Sequence, residues 1–133
     1  MSQENVELVR KAIEARNRDL DEWLTFFDPE VEGSDTMIVA GMQTETRGTD
    51  ELREAVEKWD EGFEDFRTEV VELIDAGEDR VVAMTRVTGR GKGSGIPVDE
   101  QFGQVWTLRD GRVVRIETYV NPSEALEAAR LSE

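Results

Sequence analysis

Residues 98–109, VDEQFGQVWTLR, place an amide where an apolar side chain is expected. In an extended strand Phe102, Gln104, Trp106 and Leu108 share one parity and alternate with Gly103, Val105, Thr107 and Arg109, so the bulky side chains point one way and Gln104 points with them. A buried amide has donors and an acceptor that all need partners. Either neighbouring backbone satisfies them, or Gln104 orients the carbonyl or hydroxyl of a ligand; the pattern leaves both open. Arg86 poses a similar question. It shares parity with Val82, Met84 and Thr88, whereas Val81, Ala83, Thr85 and Val87 share the other. The second set is the better core face, which leaves the guanidinium in water.

Two further strings imitate known sites and lack a defining part. Residues 89–95, GRGKGSG, do not have the order of a phosphate-binding loop and no helix follows them, so they read as a hairpin loop. Asp28, Glu30, Glu32 and Gly33 match the first half of a calcium loop, but its twelfth position is Val39 and not a bidentate Glu. With no His and no Cys, the chain also lacks the usual general base, thiolate nucleophiles and zinc-thiolate ligands. Its chemistry must come from carboxylates, amides, hydroxyls and aromatic rings, and neither a metal nor a cofactor is expected.

The elements that must position these residues can be read from spacing. Val6, Val9, Ala12 and Ile13 follow helical periodicity behind Ser2 as N-cap, predicting a helix over 3–17. Asp19 with Glu22 resembles a capping box, and Leu20, Trp23, Leu24 and Phe27 form one face of a second helix ending before Asp28-Pro29. A short strand is expected at 30–33, then a polar stretch broken only by the apolar residues 37–40. A third helix starts near Thr49 and carries the stripe Leu52, Ala55, Val56, Trp59 and Phe63. Residues 67–75, 79–89, 98–109 and 112–120 read as an antiparallel meander, with Asp110-Gly111 as a tight hairpin turn. In its last strand Val114, Ile116, Thr118 and Val120 are expected to face the core. Asn121 caps a closing helix with Pro122 in its first turn.

The whole, residues 1–133, reads as a single α+β domain, since no linker or repeat divides it and 38% hydrophobic residues suffice for one core. Sixteen basic against 31 acidic residues leave a net charge of −15, which repels nucleic acid phosphates and anionic lipid headgroups. The start, MSQENVELVRKAIEARN, has no signal-peptide pattern and no apolar stretch approaches bilayer length, so a cytoplasmic location away from membranes is expected.

The order helix, helix, short strand, helix and curved meander resembles the nuclear transport factor 2-like superfamily, in which a curved antiparallel sheet wraps around the N-terminal helices as a cone. The stretches MSQENVELVRKAIEARNRDLDEWLTFFDPEVE, RGTDELREAVEKW and GSGIPVDEQFGQVWTLRDGRVVRIETYVNPSEALEAARL are similar to its SnoaL-like polyketide cyclase and ketosteroid isomerase-like branch. The resemblance implies a deep apolar pocket, lined by Trp23, Phe27, Trp59, Phe63, Met84, Phe102, Trp106 and Ile116. It also implies a homodimer formed through the outer sheet face. The carboxylate base of ketosteroid isomerases falls at about Gly33, with Asp35 the nearest carboxylate; their oxyanion-hole Tyr falls near Ala12 and their oxyanion-hole acid at Gln104. Asp35 and Gln104 are therefore the candidate catalytic residues. The implied function is a small-molecule pocket performing metal-free isomerisation, cyclisation, dehydration or epoxide opening on a hydrophobic metabolite. The alternative is a non-catalytic ligand-binding or dimeric accessory module, with Arg115, Glu117 and Tyr119 meeting the partner.

Overall fold

The computed structural model describes residues 2–35, 45–77 and 79–131. The apolar run at 37–40 lies outside them, and so does the side chain of Ser2. Helix α1 (Ser2–Arg16) is followed by a short α2 (Leu20–Leu24), β1 (Phe27–Asp35), β2 (Glu45–Arg47), α3 (Thr49–Glu61), β3 (Phe63–Gly77), β4 (Arg80–Gly91), β5 (Pro97–Arg109), β6 (Arg112–Tyr119) and α4 (Pro122–Leu131). The strands form one curved six-stranded sheet in the order β2-β1-β6-β5-β4-β3. The meander is antiparallel, but β1 joins β6 in parallel, which makes the sheet mixed.

Local chemistry explains most boundaries. Asp19 Oδ1 accepts the backbone N–H of Asp21 at 2.9 Å and starts α2, while Glu22 pairs with Arg18 instead of closing a capping box. The helix stops at Leu24 because Thr25 Oγ1 donates to the Glu22 carbonyl and the Val113 N–H draws the Phe26 carbonyl into the sheet. Phe27 thus opens β1 and does not continue a helical stripe. Asp110 and Gly111 both have positive φ, 53° and 78°, the conformation that a two-residue hairpin of this twist requires. Asn121 Oδ1 accepts from the Ser123 backbone and caps α4.

The sheet buries both faces. Its concave side and helices α1 to α3 enclose the main core, with Val9, Ala12, Ile13, Val31, Val81, Ala83, Trp106 and Val113 almost fully excluded from water. On the convex side α4 sets Ala125 and Ala129 against Val82 and Val105, with Met84 and Leu126 beside them. Gly103 permits that approach: a Cβ there would stand 2.7 Å from Ala125 Cβ and 2.9 Å from Pro122 Cα. A bulge between Thr107 and Leu108 changes the register of β6 and brings Val113 into the core beside Ile116. Val114 is consequently only half-buried and Val120 is exposed, unlike the uniform alternation expected of that strand.

Candidate functional site

Between the helices and the concave sheet lies a cavity of about 180 Å³. This is below the roughly 300–1,000 Å³ of ordinary ligand pockets and suits a compact molecule. Its walls are mainly apolar. Ile13 comes from α1, Trp23 from α2, Leu52, Val56 and Trp59 from α3, and Phe66, Val87, Phe102, Trp106 and Ile116 from the sheet.

Into this apolar space project a few polar groups. Trp106 is 1% exposed, and its indole Nε1 donates to Gln104 Oε1 at 3.0 Å. An indole N–H only donates, so the amide oxygen must face it and the amide nitrogen must point the other way. There Nε2 lies 3.4 Å from Thr118 Oγ1, a long contact that occupies one of its two hydrogens. The second has no hydrogen bond to a described residue. Among the described residues Gln104 is therefore held by a side chain and not by backbone.

Asp35 reaches the same wall from a different strand. It is paired in register with Thr118, which is paired with Gln104, so the three form one cross-strand row. The backbones of Asp35 and Gln104 are two strand spacings apart, about 10 Å. Gly33 also lies on the cavity wall, where a Cβ would come within 2.6 Å of Thr46 Oγ1 and 3.5 Å of Leu52 Cδ1. A side chain at Gly33 would have to displace the Thr46 hydroxyl, and Gly33 lies within β1, not after it. Ala12 is fully buried in the main core and offers no donor.

Of the residues expected to line the pocket, Trp23, Trp59, Phe102, Trp106 and Ile116 border the cavity. Three placements are corrected. Phe27 packs beneath it, edge-on to Trp23 with ring centroids 4.5 Å apart. Phe63 stacks on Trp59 and Phe66 to one side. Met84 points to the convex face, because β4 turns Ala83, Thr85 and Val87 inward. Arg86 accordingly stands outside in a two-contact pair with Asp99, at 2.6 and 2.8 Å.

Arg16, Thr68, Thr85 and Thr118 were not singled out by sequence, yet all four border the cavity. For Arg16 a signal exists: it stands three, four and seven residues after Ile13, Ala12 and Val9, on the buried stripe of α1. Burial first, and then its hydrogen bond to Glu117, push the Tyr119 phenol up to about 12. The hydrogen bond from Arg86 lowers Asp99. Among the described residues no three carboxylates cluster to hold a metal ion, and no helix is long and apolar enough to cross a membrane.

A cavity walled by three helices and a curved sheet, with α4 strapped across the convex side, defines a nuclear transport factor 2-like α+β cone. The chain belongs to the SnoaL-like domain family, whose profile matches residues 9–116. Among solved structures it is similar to an NTF2-like protein of unknown function from Burkholderia pseudomallei (24% identity, TM-score 0.79), covering 93% of this chain and 95% of that one. A protein with a ketosteroid isomerase-like fold from Catenulispora acidiphila, in complex with trimethylamine, is 17% identical (TM-score 0.75) over 93% of this chain and 92% of its own. TerC, co-crystallized with polyporic acid, is 23% identical (TM-score 0.76) over 96% of this chain and 98% of its own. These likenesses establish the fold. No curated protein matches the sequence at a significant level.

Proposed function

We propose that this protein binds a compact, mainly apolar metabolite in the cone and performs metal-free acid–base chemistry on it, with Gln104 as hydrogen-bond donor and Asp35 as base. The observation that carries the reading is the Trp106–Gln104–Thr118 relay, which holds an amide on the wall of an apolar cavity with one N–H that has no hydrogen bond to a described residue. Such a group donates to a ligand carbonyl oxygen. The Asp35 carboxylate then takes a proton from the adjacent carbon, the C–H electron pair becomes the enol C=C bond, and the carbonyl π pair moves to the oxygen held by Gln104. Returning the proton to another carbon completes an isomerisation; expelling a neighbouring hydroxide as water completes a dehydration, and attack on a second carbonyl completes a cyclisation. A neutral donor stabilises that oxyanion less than a charged one but still selectively, since charge develops only in the transition state. Epoxide opening is set aside, because Arg86 faces outward with Asp99 and supplies no inward Asp–Arg–Asp arrangement. The occurrence of polyporic acid in TerC supports treating the cone as a small-molecule container.

The same reading keeps a homodimer through the outer sheet face around Arg115, Glu117 and Tyr119, the last of which already packs partly against α4. Light scattering across a dilution series checks it. For the pocket, thermal-shift screening of apolar ketones and hydroxy-ketones finds ligands, because binding only the folded form raises its stability. Turnover of a hit that survives both Asp35→Asn and Gln104→Leu defeats the catalytic assignment. Absence of any stabilising compound defeats the pocket itself.

A further inference from the structure

The cavity contains one group that the chemistry above does not use. Arg16 closes α1 and lines the cavity with a side chain only 16% exposed. Its guanidinium carbon lies 5.8 Å from the ring centroids of both Trp23 and Phe66. One nitrogen, Nη2, donates to Asp60 Oδ1 at 2.6 Å. Nε, Nη1 and the second Nη2 hydrogen make no hydrogen bond to a described residue, on a side chain that borders the cavity. Arg stays protonated at every accessible pH, and taking its charge out of water is costly unless paired. An apolar side chain on this stripe of α1 would pack against Trp23 and Phe66 with no such cost. A single monodentate contact to a partly exposed Asp60 leaves the planar fork unfilled, and a fork of this geometry matches a carboxylate or another oxyanion.

We infer that Arg16 is a specificity-determining residue which selects an anionic ligand, an apolar molecule ending in a carboxylate or acidic enol, by donating to the anion from the bidentate edge of the guanidinium that Asp60 leaves free, beside Trp23 and Phe66. This rests on the pocket reading above and adds the substrate class to it. It also reconciles an anionic ligand with a chain of net charge −15. Surface carboxylates farther than about 8–10 Å are screened by salt, whereas a guanidinium in direct contact is not. Asp60 holds one hydrogen of the same guanidinium and offsets part of its charge, so it sets the affinity without abolishing the site.

The test measures binding of matched pairs by calorimetry at neutral pH: 2-naphthoate against 2-naphthamide, and 4-biphenylcarboxylate against its carboxamide. Each pair shares shape and differs in charge. In the wild type the acid is expected to bind about tenfold or more tighter than its amide, the scale of a charged hydrogen bond in a dry site. Arg16→Gln should erase that preference by weakening the acid far more than the amide, and Asp60→Asn should enlarge it. A residue that merely ties α1 to α3 would move acid and amide together. Equal binding of acid and amide to the wild type, or a preference that survives Arg16→Gln, overturns this inference and leaves the pocket reading intact. Binding of none of the four compounds overturns both.

Discussion

Replacing Gln104 by Leu tests whether the amide is held as the structure describes. Leu occupies similar space, but it leaves the indole N–H of Trp106 without an acceptor in a position 1% exposed. A buried donor deprived of its partner costs about 1–3 kcal/mol. The 3.4 Å contact to Thr118 is too long for its loss to add much. Leu keeps the apolar packing around the indole, which places the net cost in the lower part of that range, at about 1–2 kcal/mol. For a chain of 133 residues, unfolding entropy of about 2.1 cal/mol/K per residue converts this to a Tm lower by roughly 4–7 °C. Circular-dichroism melts measure it, and a double-mutant cycle isolates the interaction. In a Trp106→Phe background the acceptor has no donor to serve, so Gln104→Leu should cost less than about 0.5 kcal/mol. If Gln104→Leu is neutral or stabilising in the wild type, or costs the same in both backgrounds, the indole does not fix the amide and the N–H is not aimed into the cavity.

Three further outcomes are expected. Gly103→Ala forces a Cβ into backbone of α4 and should destabilise the domain by about 1–3 kcal/mol, with hydrogen exchange rising first in residues 122–130; an unchanged melt contradicts the docking of α4 on β5. Tyr119 is the chain's one tyrosine, so phenolate absorbance reads it alone: the native midpoint should lie near 12 against about 10 in denaturant. The stability linked to a raised phenol is complete below pH 10 and is lost as pH climbs towards 12, and a native midpoint near 10 refutes its burial against Glu117. Asp99 is held below 3.8 by Arg86, so any advantage of wild type over Asp99→Asn in urea melts should be present at neutral pH and fade as pH falls below that value; an advantage that grows in acid reverses the assigned sign.

What could be read from sequence was what is decided locally. The stripe Leu52 to Trp59, the Asp110-Gly111 turn and the Asn121 cap each carry their own instruction within a few residues, and the structure places α3, the last hairpin and α4 accordingly. The parallel pairing of β1 with β6 joins segments some eighty residues apart and leaves no local trace. Met84 entered the expected pocket lining with the resemblance, whereas the alternation of β4 already favoured Val81, Ala83, Thr85 and Val87 as the core face; the opposite face is apolar as well because it lies under α4. The bulge that rotates Val113 inward likewise depends on the partner strand. At the site, Gln104 was visible as a polar residue breaking an apolar alternation. The same reasoning applied to α1 would have found Arg16 on the stripe of Val9, Ala12 and Ile13. Its partner Asp60 and the rings of Trp23 and Phe66 come from three other elements, so only the folded chain shows what holds it.

The account stands most directly on whether a ligand meets Gln104 inside the cone. Nitrogen–proton correlations of a nitrogen-labelled sample resolve the Gln104 side-chain amide and the Trp106 indole separately. On titration with a compound that raises the melting temperature, the account predicts that the Gln104 Nε2 protons move most, with the Trp106 indole following through its shared hydrogen bond. Saturable binding that leaves both signals in place, while shifting only residues of the convex face, contradicts it.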